Sequence, residues 1–350
     1  MSEKHWIRRR WKLIVNVITL AAIVILVIAL WPQIKDTYSE LKKVDVYILL
    51  LMIPIEALNY HAQARLYQRL FKIVGNKLSY KFLYRASLEL NFINHVFPSG
   101  GVTGMSYFTL RLGKKKDIAY GKATLIHIMK IMLYFLSYEV LLVFGVFALA
   151  IMGRVNNLVI LIASSLTTLL ILGTLFFVYL VGSKERINGF FTGVSRFLNW
   201  IIRKILPSSP ETINIEGTRQ LFNDFHDNYQ EIKHSLNQLR VPFLYALLAD
   251  ATEIAAIYVV YIAFGKLINI GAVILAYGIA NFAGAISVLP GGVGVYEALM
   301  TGALASMGVP AAVSLPVTIT YRVLNTLIQV PPGYWLYHRA LKSGQEPVKG

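Results

Sequence analysis

The stretch from Phe82 to Leu112, FLYRASLELNFINHVFPSGGVTGMSYFTLRL, decides how the whole chain is arranged. It is largely apolar and is interrupted once, at Phe97-Pro98-Ser99-Gly100-Gly101. Basic residues crowd both of its ends, with six in Arg65–Arg85 and five in Arg111–Lys122. Lysine and arginine next to apolar spans mark the cytoplasmic side of a membrane. One crossing would put these two basic clusters on opposite sides. A helical hairpin that enters, turns at Pro-Ser-Gly-Gly and returns puts both on the same side. Irregular backbone at that depth is tolerated where protein or a wet cavity surrounds it.

The second half repeats the device. Ile268–Leu289 is apolar, Pro290-Gly291-Gly292-Val293-Gly294 follows, and a short apolar segment runs on to Met307. The two turns share letters: Asn91-Phe92, five residues, then Pro98; and Asn281-Phe282, seven residues, then Pro290, about 190 positions later. If the preceding span runs outward, the second hairpin enters from the outer face. Inverted repeats with broken helices meeting near the midplane are the architecture of alternating-access transporters.

Around the hairpins lie apolar runs near the roughly 20 residues that a helix needs to cross a bilayer. They are Leu13–Trp31, Val44–Leu58, Ile131–Met152, Leu158–Val181, Pro242–Phe264 and Pro310–Val330. Of 350 residues, 56% are hydrophobic and 15% charged, against about a quarter charged in soluble domains. The expected fold is an all-α polytopic membrane protein, with about six full transmembrane helices plus two re-entrant helical hairpins in an inverted repeat. Residues 1–350 form a single membrane domain. Its first half, 13–181, holds the hairpin 82–112; a cytoplasmic amphipathic linker spans 182–240; the second half, 241–337, holds the hairpin 268–308. The first run is read as a retained helix, because it exceeds a signal peptide's apolar core and no small-residue cleavage site follows Trp31-Pro32.

The formal charge of +16 reflects juxtamembrane bases facing anionic lipid and does not point to nucleic acid. The link between the third and fourth spans carries only Arg154, and the link after the fifth only Lys266. This bias puts both termini in the cytoplasm and the chain in the cell inner (plasma) membrane. There is no cysteine, which excludes disulfides, thiolate zinc sites and cysteine nucleophiles. No cofactor or metal site is expected.

Ionisable groups inside a membrane ask for an explanation. The candidates are Glu56, Glu89, His95, His127, Lys130, Glu139, Asp250, Glu253, Glu297 and Arg322. Asp250 and Glu253 share one helix face. Arg322 requires an acidic partner, for which Glu297 or Glu253 would serve, and Lys130 and Glu139 are read as internally paired or snorkelling. Glycine turns that end one helix and begin another leave backbone N–H groups free, and such termini bind anions. The candidate substrate-binding set is Pro98, Ser99, Gly100, Gly101, Thr103, Gly104, Arg111, Pro290, Gly291, Gly292, Gly294, Glu297, Arg322, Glu253 and Asp250. No catalytic residue is expected.

Ser287-Val288-Leu289-Pro290-Gly291-Gly292-Val293-Gly294-Val295-Tyr296-Glu297-Ala298, with Gly308-Val309-Pro310 and Tyr321-Arg322, resembles the signature of the lysylphosphatidylglycerol synthase transmembrane region. Asn94-His95-Val96-Phe97-Pro98-Ser99-Gly100-Gly101 and Gly104 fit as well. The resemblance covers roughly Leu13 to Tyr337 and implies movement of a phospholipid, aminoacyl-phosphatidylglycerol in characterised members, between leaflets. It also implies two re-entrant hairpins. Relatives place an acidic-then-basic pair after the first turn, whereas Met105–Leu110 is uncharged and the first charge is Arg111. With the sequence read here to Gly350, a soluble aminoacyl-transferase domain is not expected, and synthase activity is not carried over.

The expected function is a flippase-like transporter of an anionic or aminoacylated phospholipid. The alternative is a membrane scaffold or lipid-binding partner of a separate lipid-modifying synthase, and an intramembrane lipid enzyme ranks below both. The expected partners are membrane phospholipid, a second copy of the chain and such a synthase, with no nucleic acid.

Overall fold

A computed structural model describes residues 44–96, 102–116, 118–153, 155–190, 235–286 and 293–342, with isolated positions at 28, 192–193, 196, 225, 228–230 and 233. The first apolar run, most of the linker and both Pro-Gly turns lie outside the described residues. So do Pro98, Ser99, Gly100, Gly101, Pro290, Gly291 and Gly292.

The described residues are helical and contain no strand. A short helical turn, Val46–Leu49, is capped by the Asp45 carboxylate and leads into α1, Met52–Ile73. Then come α2, Tyr80–Val96; α3, Val102–Lys116; α4, Tyr120–Ile151; and α5, Asn157–Val181. After the linker follow α6, Arg240–Ala263; α7, Ile270–Ile286; α8, Val295–Ser306; and α9, Ala311–Lys342. Among the described residues, four helical segments are long and apolar enough to cross a membrane: Tyr120–Ile151, Asn157–Val181, Leu236–Ala263 and Ala311–Leu341. Their outward faces carry large apolar side chains, among them Val143, Phe144 and Phe147 of α4 and Leu161, Leu172, Leu175 and Phe176 of α5. Contiguous exposed apolar surface of this kind needs lipid or protein to cover it.

The helices flanking each Pro-Gly turn pack against one another, α2 on α3 and α7 on α8. The longer member of each pair has 17 residues, about 25 Å of helix, less than the roughly 30 Å hydrocarbon core. Each pair is therefore a helical hairpin.

The order helix–hairpin–helix occurs twice, as α1 to α4 and as α6 to α9. α2 and α7 both have 17 residues and start at 80 and 270; α4 and α9 both have 32 and start at 120 and 311. Packing repeats with it: α2 lies on α9 as α7 lies on α4, and α1 on α4 as α6 on α9. The related pair α1 and α6 touch each other most extensively and run antiparallel. At one end the Asp45 N–H donates to the Ala263 carbonyl (3.1 Å), and farther along Asn59 Nδ2 donates to the Ala249 carbonyl (3.0 Å).

Close backbone approach fixes the second hairpin on α4. A Cβ on Gly271 would stand 2.1 Å from the Gly145 carbonyl oxygen. On the other side Gly333 of α9 serves the same purpose, since its Cβ would lie 2.5 Å from that of Phe92 in α2.

Several spans outrun their hydropathy. The third was expected from Ile131, yet α4 begins at Tyr120, because Thr124, His127 and Lys130 are buried inside the protein and not in lipid. The second, expected to stop near Leu58, continues to Ile73 for the same reason, with Asn59 and Gln63 buried.

Candidate functional site

The two hairpins meet. Val293, directly after the Pro-Gly-Gly turn, packs on the cluster of Phe92, Ile93, Val96 and Tyr337, which includes the last turn of α2. His95 in that turn donates its Nδ1–H to the Asn91 carbonyl (2.9 Å) and lies within reach of the charge of Arg322. The C-terminal end of α2 thus adjoins the N-terminal end of α8.

That N-terminus is built on Gly294, whose φ of 87° belongs to the left-handed region that side chains rarely adopt. The Gly294 N–H donates to Glu297 Oε2 (2.6 Å), and Glu297 Oε1 accepts from the Arg322 guanidinium of α9. Arg322 also stacks over Tyr296, 4.7 Å from the ring centroid. Both members are sheltered, with side chains 13% and 6% exposed. Of the two acids expected to serve Arg322, the structure selects Glu297.

The first hairpin has its own pair. Arg111 Nε and a terminal nitrogen donate to the two oxygens of Glu89 at 2.7 and 2.9 Å, and Tyr107 OH adds a third bond at 2.6 Å. Arg111, expected at the headgroup, is turned onto Glu89, 1% exposed, which supplies from the preceding helix the acid that Met105–Leu110 lacks. Thr103 is exposed. Gly104 lets α3 approach α2, since a Cβ there would lie 2.0 Å from Asn94 Oδ1.

Glu253 and Asp250 belong to a third arrangement, which runs through the crossing of α1 and α6. Gln329 Nε2 donates to Glu56 Oε2 (2.8 Å) and to Asn325 Oδ1 (2.7 Å); Asn325 Nδ2 reaches Tyr321 OH (3.3 Å), which donates to Glu253 Oε2 (3.0 Å). Asn59 Nδ2 approaches Glu253 Oε1 (3.2 Å) and Thr252 Oγ1 (2.9 Å), Gln63 donates to Asn59 (2.6 Å), and Lys130 Nζ donates to Gln63 (2.8 Å). Lys130 also lies 5.0 Å from the ring centroids of Tyr67 and Tyr134. Asp250 accepts from Ser137. The expected Lys130–Glu139 pair is not made, and Glu139 Oε2 is buried without a donor. Glu253 and Asp250 therefore sit in an internal relay, apart from the Glu297–Arg322 pair but next to it, since Tyr321 precedes Arg322.

The amides of this relay escaped notice because they carry no charge. The signal was present: Glu56, Asn59 and Gln63 recur at i, i+3 and i+7, and Tyr321, Asn325 and Gln329 at i, i+4 and i+8, each on one helix face.

A polytopic helical membrane protein with buried ion pairs between its helices is the class that this geometry defines. The family described as Lysylphosphatidylglycerol synthase TM region matches residues 17–333, and the chain belongs to it. Among curated proteins it is similar to a UPF0104 membrane protein of Pyrococcus horikoshii, 21% identical over 322 residues, covering 91% of this chain and 93% of that one. A UPF0104 membrane protein of Methanothermobacter thermautotrophicus is 32% identical over 97 residues, 28% of this chain and 29% of that one.

Proposed function

We propose that this protein moves an anionic or aminoacylated phospholipid between the leaflets of the cell inner membrane, as a flippase-like transporter and not as an enzyme. In this reading six full spans and two re-entrant hairpins form an inverted repeat, with both termini cytoplasmic. The hairpin lengths, the antiparallel α1–α6 pair and the distribution of bases support that topology.

The observation that carries the proposal is the junction of the hairpins beside Glu297 and Arg322. The N-terminus of α8 offers backbone N–H groups and the positive end of a helix dipole to a phosphate. Arg322 offers a planar guanidinium suited to the same group. An aminoacylated headgroup carries an ammonium as well, and Glu297 is its natural counterpart. One buried pair of opposite sign can therefore open to accept a headgroup of both signs, while the acyl chains stay in the lipid beside α4 and α5.

The test is reconstitution of the full chain into phosphatidylglycerol vesicles carrying a headgroup-distinct fluorescent lipid, with outer-leaflet quenching as the readout. Faster equilibration than in protein-free vesicles, slowed by Arg322→Gln, is the expected result. Identical quenching with and without protein refutes the proposal and favours the scaffold alternative.

A further inference from the structure

We propose that Glu56 and Glu253 form a proton-binding site at the centre of the fold, which loads and releases one proton for each lipid headgroup that passes. The coupling deepens the transport reading above and rests on it, whereas the proton site does not.

The site lies where α1 and α6 cross, with α4 and α9 closing it on either side. Transporters with inverted repeats hold their coupling ions at such repeat interfaces. Three carboxylates converge there, Glu56, Asp250 and Glu253, and the ammonium built into the same relay is that of Lys130. The guanidiniums of Arg111 and Arg322 face carboxylates of their own, Glu89 and Glu297. The other titratable groups turned toward the relay are phenols, Tyr60 and Tyr67 from α1, Tyr134 and Tyr138 from α4, Tyr277 from α7, Tyr296 from α8 and Tyr321 from α9, and the imidazole of His127 beside Lys130. A buried carboxylate without a counter-charge carries a penalty of several kcal/mol, and binding a proton removes it.

Hydrogen-bond accounting points to the same ligand independently. Gln329 is 2% exposed, and both hydrogens of its amide are engaged, one on Glu56 and one on Asn325. Its carbonyl oxygen, Oε1, is buried with no donor. An amide and a carboxyl group pair cyclically, N–H to one carboxyl oxygen and O–H from the other to the amide oxygen. The first of these bonds is made at Glu56 Oε2, and the second forms when Glu56 is a carboxylic acid. The acceptor that lacks a donor thus belongs to the very amide that holds Glu56.

Nothing is oxidised or reduced in the cycle. A proton from water on one side joins a carboxylate to give the acid, and the acid later returns it to water on the other side. Asn325 and Tyr321 link Glu56 to Glu253, and Tyr321 adjoins Arg322, so the charge on the pair sets the field in which the headgroup site opens. One proton per lipid converts a gradient of about one pH unit into about a tenfold leaflet ratio.

The experiment uses the full chain in two assays. Infrared difference spectra across a pH titration read the carboxylic acid C=O band through its shift in heavy water. The wild type and Glu56→Asp are expected to show a titrating band that the Glu56→Gln/Glu253→Gln double variant lacks. An unchanged titration in that double variant overturns the proton site. In phosphatidylglycerol vesicles with an imposed pH gradient, the leaflet ratio of the fluorescent lipid is expected to shift about tenfold per unit, and to lose the shift in Glu253→Gln. Lipid that moves in the wild type regardless of the gradient overturns the coupling and leaves transport standing. A titrating band without lipid movement sinks the transport reading and supports the proton site.

Discussion

Removing Arg322 or Glu297 alone should destabilise the protein far more, in sum, than removing both. Their side chains are 13% and 6% exposed, so either charge left alone is poorly solvated. Breaking such a pair from one side costs about 3–5 kcal/mol. Both survivors keep partial help. In Arg322→Gln the Glu297 carboxylate still accepts from the Gly294 N–H and sits at a helix N-terminus, worth about 0.3–1 kcal/mol. In Glu297→Gln the guanidinium still covers the Tyr296 ring, worth about 1–2 kcal/mol when desolvated. Each single variant therefore falls near the lower end, about 3 kcal/mol. The Gln/Gln double variant buries no charge, and its loss is that of hydrogen bonds, about 2 kcal/mol. The interaction energy of the cycle is then about 4 kcal/mol. Detergent-titrated unfolding in mixed micelles, followed by tryptophan fluorescence, measures all four proteins. Additivity of the two single variants within about 0.5 kcal/mol would refute the buried-pair argument.

Further substitutions probe the supports of the site. Gly271→Ala sets a methyl 2.1 Å from the Gly145 carbonyl and should lower stability in thermal unfolding by about 1–3 kcal/mol, whereas Gly302→Ala, facing open space, should be neutral or mildly stabilising. Gly294→Ala forces a side chain into φ 87° and should lose about 1–2 kcal/mol, with Gly294→Asn losing less; equal losses would argue against backbone strain there. Asn59→Ala withdraws a donor from the Ala249 carbonyl and Glu253, a loss of about 1–3 kcal/mol in the same micelle titration.

The packing of α2 on α3 and of α7 on α8 was legible in advance because basic clusters flank both ends of a stretch too long for a loop and broken by Pro-Ser-Gly-Gly. The Pro-Gly-Gly-Val-Gly run gave the second, and the matched Asn-Phe letters gave the repeat. Partner choice was not legible. Glu297 and Glu253 are equally acidic in sequence, and only the capping turn at Gly294 brings Glu297 to Arg322, while Asn59 and Tyr321 engage Glu253. Span limits failed wherever polar residues were sheltered by protein, as at Asn59, Gln63, His127 and Lys130, since hydropathy cannot tell a lipid-facing position from one inside the bundle. The partner of Arg111 was not legible for a related reason. That partner, Glu89, lies 22 positions earlier, across the turn, where no local pattern points.

The helix that ties these parts together is α9, and the order of its contacts carries a consequence. Arg322 holds the second hairpin, Tyr321, Asn325 and Gln329 hold the relay to α6 and α1, and Gly333, Tyr334 and Tyr337 lie against Phe92 of the first hairpin. Between the relay and the first-hairpin contacts stand Pro331 and Pro332. Each lacks an N–H, so the usual bonds from residues 331 and 332 to the carbonyls of Leu327 and Ile328 are missing. Proline inside a helix loosens it at that point, and membrane helices accept this where neighbours compensate. The double change Pro331→Ala/Pro332→Ala restores both bonds and should raise stability by about 1–3 kcal/mol. If α9 bends there to pass the state of the relay to the first hairpin, the same variant should slow lipid equilibration severalfold in the vesicle assay while leaving the infrared titration unchanged. A stabilised variant that moves lipid at the wild-type rate would show that the two halves of α9 act as one rigid rod.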